Sequence, residues 1–211
     1  MATRIKICGV MRKQDALLAA ELGAAALGFN FYPPSPRYIA PSFAAEIIGE
    51  LPPFVMPVGV FADEASAEHI LGVAGEAGVA AVQLRGPGLP VFKGQLGEYP
   101  VIPAVPVGDD FSPEGINRFQ ASAFLLDAHD PKLLGGTGKT FNWSLAREAK
   151  RYGTIILAGG LTPENVAQAI REVRPYAVDV ASGVESAPGI KDAAKLRAFL
   201  AVVAEADREA E

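Results

Sequence analysis

What constrains this chain most is a rhythm: short apolar runs recur at a spacing of roughly 25 residues, with helical patterns between them. The runs are Arg4–Cys8, Ala25–Asn30, Met56–Phe61, Ala80–Leu84, Val101–Val105, Ala123–Asp127, Thr154–Ala158 and Ala177–Ala181. A strand with one wet face alternates apolar and polar residues, whereas a strand covered on both faces reads as a nearly continuous apolar run. These runs are of the second kind, so they predict a parallel sheet with helices packed over it.

The intervening helices announce themselves by period. Val166, Ala169, Ile170 and Val173 form one stripe, behind Thr162 as expected N-cap and Pro163 at the first helical position. Leu196, Phe199, Leu200 and Val203 form a second, and Ala44, Ile47, Ile48 and Leu51 a third, ended by Pro52. Ile70, Val73, Ala74 and Ala77 form a fourth, closed by Gly78. The unit around Pro87–Gly97 is the weakest, because glycine and proline dilute its pattern. Eight strand–helix units over residues 1–211, with no composition shift or linker, predict an α/β fold of one domain, a (β/α)8 TIM barrel. The alternative is an open doubly wound sheet. It would want closely spaced glycines after the first strand, and only Gly9 stands there.

Composition narrows the partners. A net charge of −5 argues against nucleic acid and anionic membranes, which select a basic face. No apolar run approaches the ~20 residues of a membrane span, and the N-terminus carries no signal-peptide core. A single cysteine excludes an internal disulfide, so a cytoplasmic location is expected. With two histidines and one cysteine far apart, no metal site is expected. The partner expected is a small molecule, and the assembly a monomer or a homodimer.

Barrel active sites lie at the C-terminal strand ends, which are therefore the residues to interrogate. Gly159 and Gly160 end the seventh run just before a helix, and Ser182 and Gly183 repeat the device after the eighth. Glycine lets backbone N–H groups approach an anion, and loops seven and eight commonly hold phosphate in barrels. Read alone, either pair is an ordinary tight turn; both together predict a phosphate site. Cys8 closes the first run beside Gly9. A lone cysteine is usually a small buried hydrophobe, but a thiol at the mouth serves as base or nucleophile if its pKa falls from about 8.5.

Asp127 ends the apolar stretch Phe124-Leu125-Leu126 and could equally be a turn or cap aspartate. Partial burial there would raise its pKa and suit it to donate a proton near neutrality. The proline- and aromatic-rich segment Phe31–Tyr38 reads as a stiff loop presenting Arg37 to a planar ligand with a carboxylate, or as a plain surface loop. Asp127–Thr140, with Gly135, Gly136 and Gly138, reads as a mobile lid in which His129 is solvated. His69 falls on the polar face of its helix.

In order, Lys6-Ile7-Cys8-Gly9, Ala26-Leu27-Gly28-Phe29, Ser35-Pro36-Arg37-Tyr38, Val58-Gly59-Val60-Phe61, Leu125-Leu126-Asp127, Leu134-Gly135-Gly136-Thr137-Gly138, Leu157-Ala158-Gly159-Gly160-Leu161-Thr162-Pro163-Glu164-Asn165 and Ser182-Gly183-Val184-Glu185 resemble the phosphoribosylanthranilate isomerases. The resemblance covers essentially the whole chain. It implies an Amadori rearrangement of N-(5-phosphoribosyl)anthranilate to 1-(2-carboxyphenylamino)-1-deoxyribulose 5-phosphate in tryptophan biosynthesis, without a cofactor. It further implies Asp127 as the general acid that opens the sugar and Cys8 as the base that takes the C2 proton. Arg37 would hold the anthranilate carboxylate, and Asp179 the sugar hydroxyls.

Two positions depart from the family's pattern. Arg85 replaces its usual histidine, and Pro103 replaces its usual lysine; both are expected at the mouth, Arg85 as a substrate-binding cation that compensates for that lysine. Competing readings are a related phosphosugar barrel, which would show paired aspartates or strand-end lysines and glutamates, and an inactive phosphate-binding barrel. The retained Cys8 and Asp127 speak against the last.

Overall fold

In the computed structural model, which describes residues 2–62, 66–86, 94–119, 121, 123–128 and 141–209, the eight expected strands close into a single barrel. They are β1 (Arg4–Cys8), β2 (Ala26–Asn30), β3 (Met56–Ala62), β4 (Ala81–Arg85), β5 (Val101–Val107), β6 (Ala123–Ala128), β7 (Thr154–Leu157) and β8 (Ala177–Val180). Each pairs in parallel with its sequence neighbours, and β8 closes on β1 through Asp179 opposite Lys6. The strand ends differ from the sequence reading by one or two residues. That is the expected blur, because apolar runs continue smoothly into the loops.

Alternation along each strand divides the residues between two cores. In β2, Leu27 and Phe29 are fully buried outward, against the helices, and fully burying a side chain of that size contributes roughly 1.5–3 kcal/mol. Inside the barrel, a separate cluster of Ala104, Leu125, Ile156, Ala158 and Ala177 fills the floor. Above it the inward positions turn polar, and Lys6, Gln83 and Asp179 are all buried.

The outer layer holds α1 (Lys13–Glu21), α2 (Pro41–Ile48), α3 (Ala67–Ala77), α4 (Trp143–Ala149), α5 (Val166–Val173) and α6 (Ala193–Glu209). The stripes read from sequence are the buried faces: Ala44 and Ile47 in α2, and Leu196, Phe199, Leu200 and Val203 in α6. Gly78 closes α3 in the left-handed conformation (φ 72°), where a side chain would be strained. Thr162 caps as expected, though regular helix starts only at Val166. The Thr162 hydroxyl accepts from the Glu164 N–H (3.2 Å), and the Asn165 side chain accepts in return from the Thr162 N–H (2.8 Å). This reciprocal pair is a capping box over an irregular first turn.

The repeat is imperfect in its second half. After β5 stands a 3-10 segment, Pro113–Phe119, in place of an α-helix; only its Ile116 is buried, too little apolar surface to hold a longer helix. The described part of the weak fourth unit, residues 94–97, forms turns, and residues 87–93 lie outside the described residues. Beyond β8, a short 3-10 turn (Ser182–Val184) leads into an antiparallel hairpin of β9 (Glu185–Ala187) and β10 (Ile190–Lys191). Among the described residues, no helix is long and apolar enough to cross a membrane.

Candidate active site

A cavity of about 530 Å³ opens at the C-terminal mouth of the barrel. Cys8, Arg37, Arg85, Asp127, Gly159, Gly160, Asp179 and Ser182 all line it, so eight of the nine expected site residues converge on one space. Gly183, the ninth, lines loop packing instead. A Cβ there would collide with the Leu161 carbonyl, so its bareness is what lets loops seven and eight press together. Pro103 also departs from expectation: it stands level with Leu84, whose side chain packs outward, and it is absent from the cavity wall. Ala104 and Pro106 hold the inward register, with Pro106 opposite Asp127. A second cavity of about 410 Å³ lies at the opposite end of the barrel, around Thr3, Lys150, Tyr176 and Asp207. It faces the N-terminal strand ends, and its charged groups are spent on the fold: Asp207 accepts from Thr3, and Lys150 donates to the carbonyls ending α5.

The thiol has a cation beside it that sequence reasoning passed over. Lys6 precedes Cys8 by two residues on β1, so both side chains point to the same face. Gly28, alongside on β2, makes the space: a Cβ there would lie 2.9 Å from Cys8 Sγ and 3.2 Å from Lys6 Nζ. Lys6 in turn donates to Asp179 Oδ1 at 2.8 Å. Burial works against the Lys6 charge, but Asp179 and then Cys8 outweigh it and hold its pKa above that of an ordinary lysine. Burial likewise pushes the Cys8 thiol up from its ordinary 9.0, while the Lys6 ammonium opposes the rise by favouring the thiolate. Because Cys8 borders an open cavity, water relieves part of that burial.

Asp127 ends β6 across the cavity. Burial raises its carboxyl to about 6, and Arg85, with Nη1 3.7 Å from Oδ2, holds back a further rise. The substituted Arg85 thus sits at the mouth, as expected, and meets the acid.

Arg37 arrives by a stiff loop. Asn30 donates to Ser35 Oγ (3.0 Å) and accepts from the Tyr32 N–H (2.9 Å), and Ser35 Oγ accepts from the Arg37 N–H (3.1 Å). The guanidinium is not wholly free for a ligand. Its Nε and Nη2 donate to Glu185 at 2.7–3.2 Å, an edge-on clamp that leaves three of its five N–H groups. Glu185 also accepts from Lys191 Nζ (2.8 Å), whose other bonds reach the Cys8 carbonyl (2.5 Å) and the Ala181 carbonyl (3.3 Å). Burial lowers the Lys191 pKa, with Glu185 opposing. Burial would raise that of Glu185, but Arg37 and Lys191 outweigh it and bring it below the ordinary range. One buried lysine therefore ties the thiol's own backbone, the start of loop eight and the arginine clamp together. No sequence spacing pointed to Lys191 or Glu185, because the hairpin that carries them back is visible only in the fold.

Gly159 and Gly160 both take positive φ (83° and 65°), where only glycine sits unstrained. Loop seven is held from behind by Asn165, which donates to the Gly160 carbonyl at 2.9 Å. Among the described residues, no group of three His, Cys, Asp or Glu side chains could hold a metal ion. Of the expected lid, Asp127–Thr140, residues 129–140, including His129, lie outside the described residues. His69 sits on the exposed side of α3, as read.

Fold and site together define a (β/α)8 barrel whose cavity opens at the C-terminal ends of the strands and is lined by ionisable side chains. The sequence profile of the N-(5'-phosphoribosyl)anthranilate (PRA) isomerases matches residues 5–202. The N-(5'-phosphoribosyl)anthranilate isomerase of Geotalea uraniireducens is 50% identical over 198 residues, covering 94% of this chain and 97% of that one. Among solved structures, phosphoribosyl anthranilate isomerase from Thermotoga maritima superposes with a TM-score of 0.89 at 44% identity, over 96% of this chain and 99% of that one. A phosphoribosyl anthranilate isomerase in complex with reduced 1-(o-carboxyphenylamino)-1-deoxyribulose 5-phosphate superposes at 0.85 with 42% identity, over 96% and 99%. Monomers generated from the dimeric Thermotoga maritima enzyme superpose at 0.84 with 39% identity, over 96% and 98%. The chain belongs to the phosphoribosylanthranilate isomerase family.

Proposed function

We propose that this chain carries out the Amadori rearrangement of N-(5-phosphoribosyl)anthranilate, a step of tryptophan biosynthesis, with Asp127 as acid and Cys8 as base. The observation that carries the assignment of roles is one cavity with an acid raised to about 6 on β6 and a lysine-flanked thiol on β1. Asp127 delivers its proton to the ring oxygen as the C1–O bond breaks, which leaves a protonated imine at C1. That cation acidifies the neighbouring C–H. The Cys8 thiolate takes the C2 proton, and the electron pair flows into the imine to give an enaminol. Ketonisation, with O2 losing a proton and C1 gaining one, closes the proton balance and returns Asp127 and Cys8 to their starting states. The imine is its own electron sink, so the reaction needs no cofactor.

Arg37 holds the anthranilate carboxylate with the N–H groups that Glu185 leaves free, and the clamp fixes the guanidinium plane before substrate arrives. Asp179 and Arg85 face the sugar, and the backbone of Gly159, Gly160 and Ser182 surrounds the phosphate, with Gly183 letting loops seven and eight close together behind it. Lys6 keeps positive charge beside the thiol as it ionises. The ligand is a small phosphosugar; nucleic acid and membranes are not partners of a chain carrying −5. We place the enzyme in the cytoplasm and, on the precedent of the dimeric relative, as a homodimer.

The test is direct. Purified wild-type protein consumes phosphoribosylanthranilate, and Cys8→Ser and Asp127→Asn each lose about 10²–10⁴-fold in kcat/KM. Absence of wild-type turnover removes the isomerase reading, and full activity in both variants removes the mechanism.

A further inference from the structure

Among the described residues, two buried side-chain polar atoms have no hydrogen-bond partner: Gln83 Oε1 and Trp143 Nε1. Trp143 opens α4 and does not line the cavity; Gln83 borders it, with only 7% of its surface exposed. Its neighbours leave it unpaired. Gln83 stands level with Val60 on β3 and Ile102 on β5; of the inward side chains next to it Ala81, Ala104 and Leu125 are apolar, and Arg85, two residues on along the same face, is paired with Asp127. Buried polar groups are paired as a rule, and an exception at the floor of an active site points to a partner that arrives with the ligand. The amide can turn about its last torsion, so it presents an acceptor, a donor or both.

Strand order says which part of a substrate would reach it. Cys8 lies on β1, Arg37 follows β2, and the glycine loops follow β7 and β8, so a substrate stretched from carboxylate to phosphate runs along one side of the barrel. At the reacting C2, the bonds to C1 and C3 follow that line and the C–H faces Cys8. The remaining substituent, the hydroxyl, is directed across the barrel toward β4, which lies opposite β8 in the ring of eight strands.

We propose that Gln83 grips the C2 hydroxyl of the sugar, an inference that rests on the isomerase reading above. A neutral amide fits this oxygen better than a carboxylate does. The oxygen begins as a hydroxyl, which donates, and ends as a ketone, which only accepts, and the amide serves both through Oε1 and Nε2. Gln83 moves no proton; it fixes the orientation of C2 against the thiolate.

Gln83→Met keeps the shape and removes the polarity. The expected result is a loss of about 10- to 100-fold in kcat/KM, with Tm unchanged or raised because an unpaired buried amide has gone. The second measurement is binding of the C2-reduced product, which keeps a C2 hydroxyl, against its 2-deoxy counterpart. Wild-type protein prefers the hydroxyl form by about tenfold or more, and the variant loses that preference. Turnover within twofold of wild type, or a hydroxyl preference that survives in the variant, overturns the contact while leaving the isomerase intact. A wild type that fails to turn over the substrate overturns both.

Discussion

Removing the charge beside the thiol is the sharpest way to test how this site makes a base. In Lys6→Met the ammonium disappears from a point no further from Cys8 Sγ than the sum of the two distances through Gly28, about 6 Å, where a unit charge at an effective dielectric near 20 is worth about 3 kcal/mol. That is about 2 pKa units, upward, because Lys6 favours the thiolate. Losing the cation also leaves Asp179 without its 2.8 Å partner, which adds repulsion and pushes in the same direction. The assay is alkylation of Cys8 by iodoacetamide in the free enzyme, followed from pH 6 to 11. The chain has one cysteine, so the signal is unambiguous. The profile is expected to shift by about 2 units to the alkaline side, past the top of this range in the variant, so the readout is the rate at pH 8, which falls about tenfold because a more basic thiolate is also more nucleophilic. A Lys6→Met, Asp179→Asn double variant controls for the unpaired carboxylate and should still show the shift. A midpoint that moves by less than about half a unit, in a variant that remains folded, would mean the lysine does not set the thiol's charge.

Other consequences follow from the same geometry. With Asp127 raised to about 6 and Cys8 raised above its ordinary value, kcat/KM should be flat from about pH 6 into the alkaline range and fall on both sides, and the reactive form, acid protonated and thiol ionised, is a small minority of the enzyme. Alkylation of Cys8 titrating near 6 would contradict that ordering. Arg85→Ala removes the main influence that restrains Asp127, so the lower limb should move above pH 6, and an unchanged kcat/KM would make Arg85 a bystander. Asp127 also has a stability signature. Its folded pKa lies above the ordinary 3.8, so the folded state holds a proton that the unfolded chain releases, and stability declines as pH rises from about 4 to 6. Asp127→Asn should therefore be more stable at pH 7, by on the order of 1–3 kcal/mol after allowing for its partial exposure, and the gain should vanish below about pH 4 in thermal melts.

Most of the architecture was legible because its cause is local. Eight apolar runs buried on both faces can only be covered by helices, and the period of each stripe named the face that packs. Where local cause weakened, so did legibility: Pro113–Phe119 has a single buried residue, and nothing in its pattern distinguishes a 3-10 turn from a poor helix. The site divides along the same line. Cys8, Asp127, Arg37 and Arg85 could be placed at the mouth because each ends a strand or its loop, and Lys6 could have been placed too, since alternation puts it on the face of Cys8. Pro103 was misplaced by ignoring that alternation: it is one residue out of register with the inward Ala104. Glu185 stands in a motif quoted above, but its pairing with Arg37 and Lys191 had no sequence signature, because the hub's bonds to Arg37 and to the Cys8 carbonyl span 148 and 183 residues.

The seam between β1 and β8 has a consequence for how the enzyme comes into being. Lys6 enters the barrel with the first strand, yet its counter-charge, Asp179, is 173 residues later, and the lysine that grips the Cys8 carbonyl follows later still. A growing chain that has completed seven strands therefore holds an ammonium group without its hydrogen-bonded carboxylate, and with only Asp127 on β6, across the cavity, to oppose its charge. Until β8 docks, that unmatched charge favours a hydrated, open edge at β1 over a premature closure onto β7. The pairing beside the thiol thus also completes the ring, because the last strand to arrive brings the carboxylate that meets Lys6.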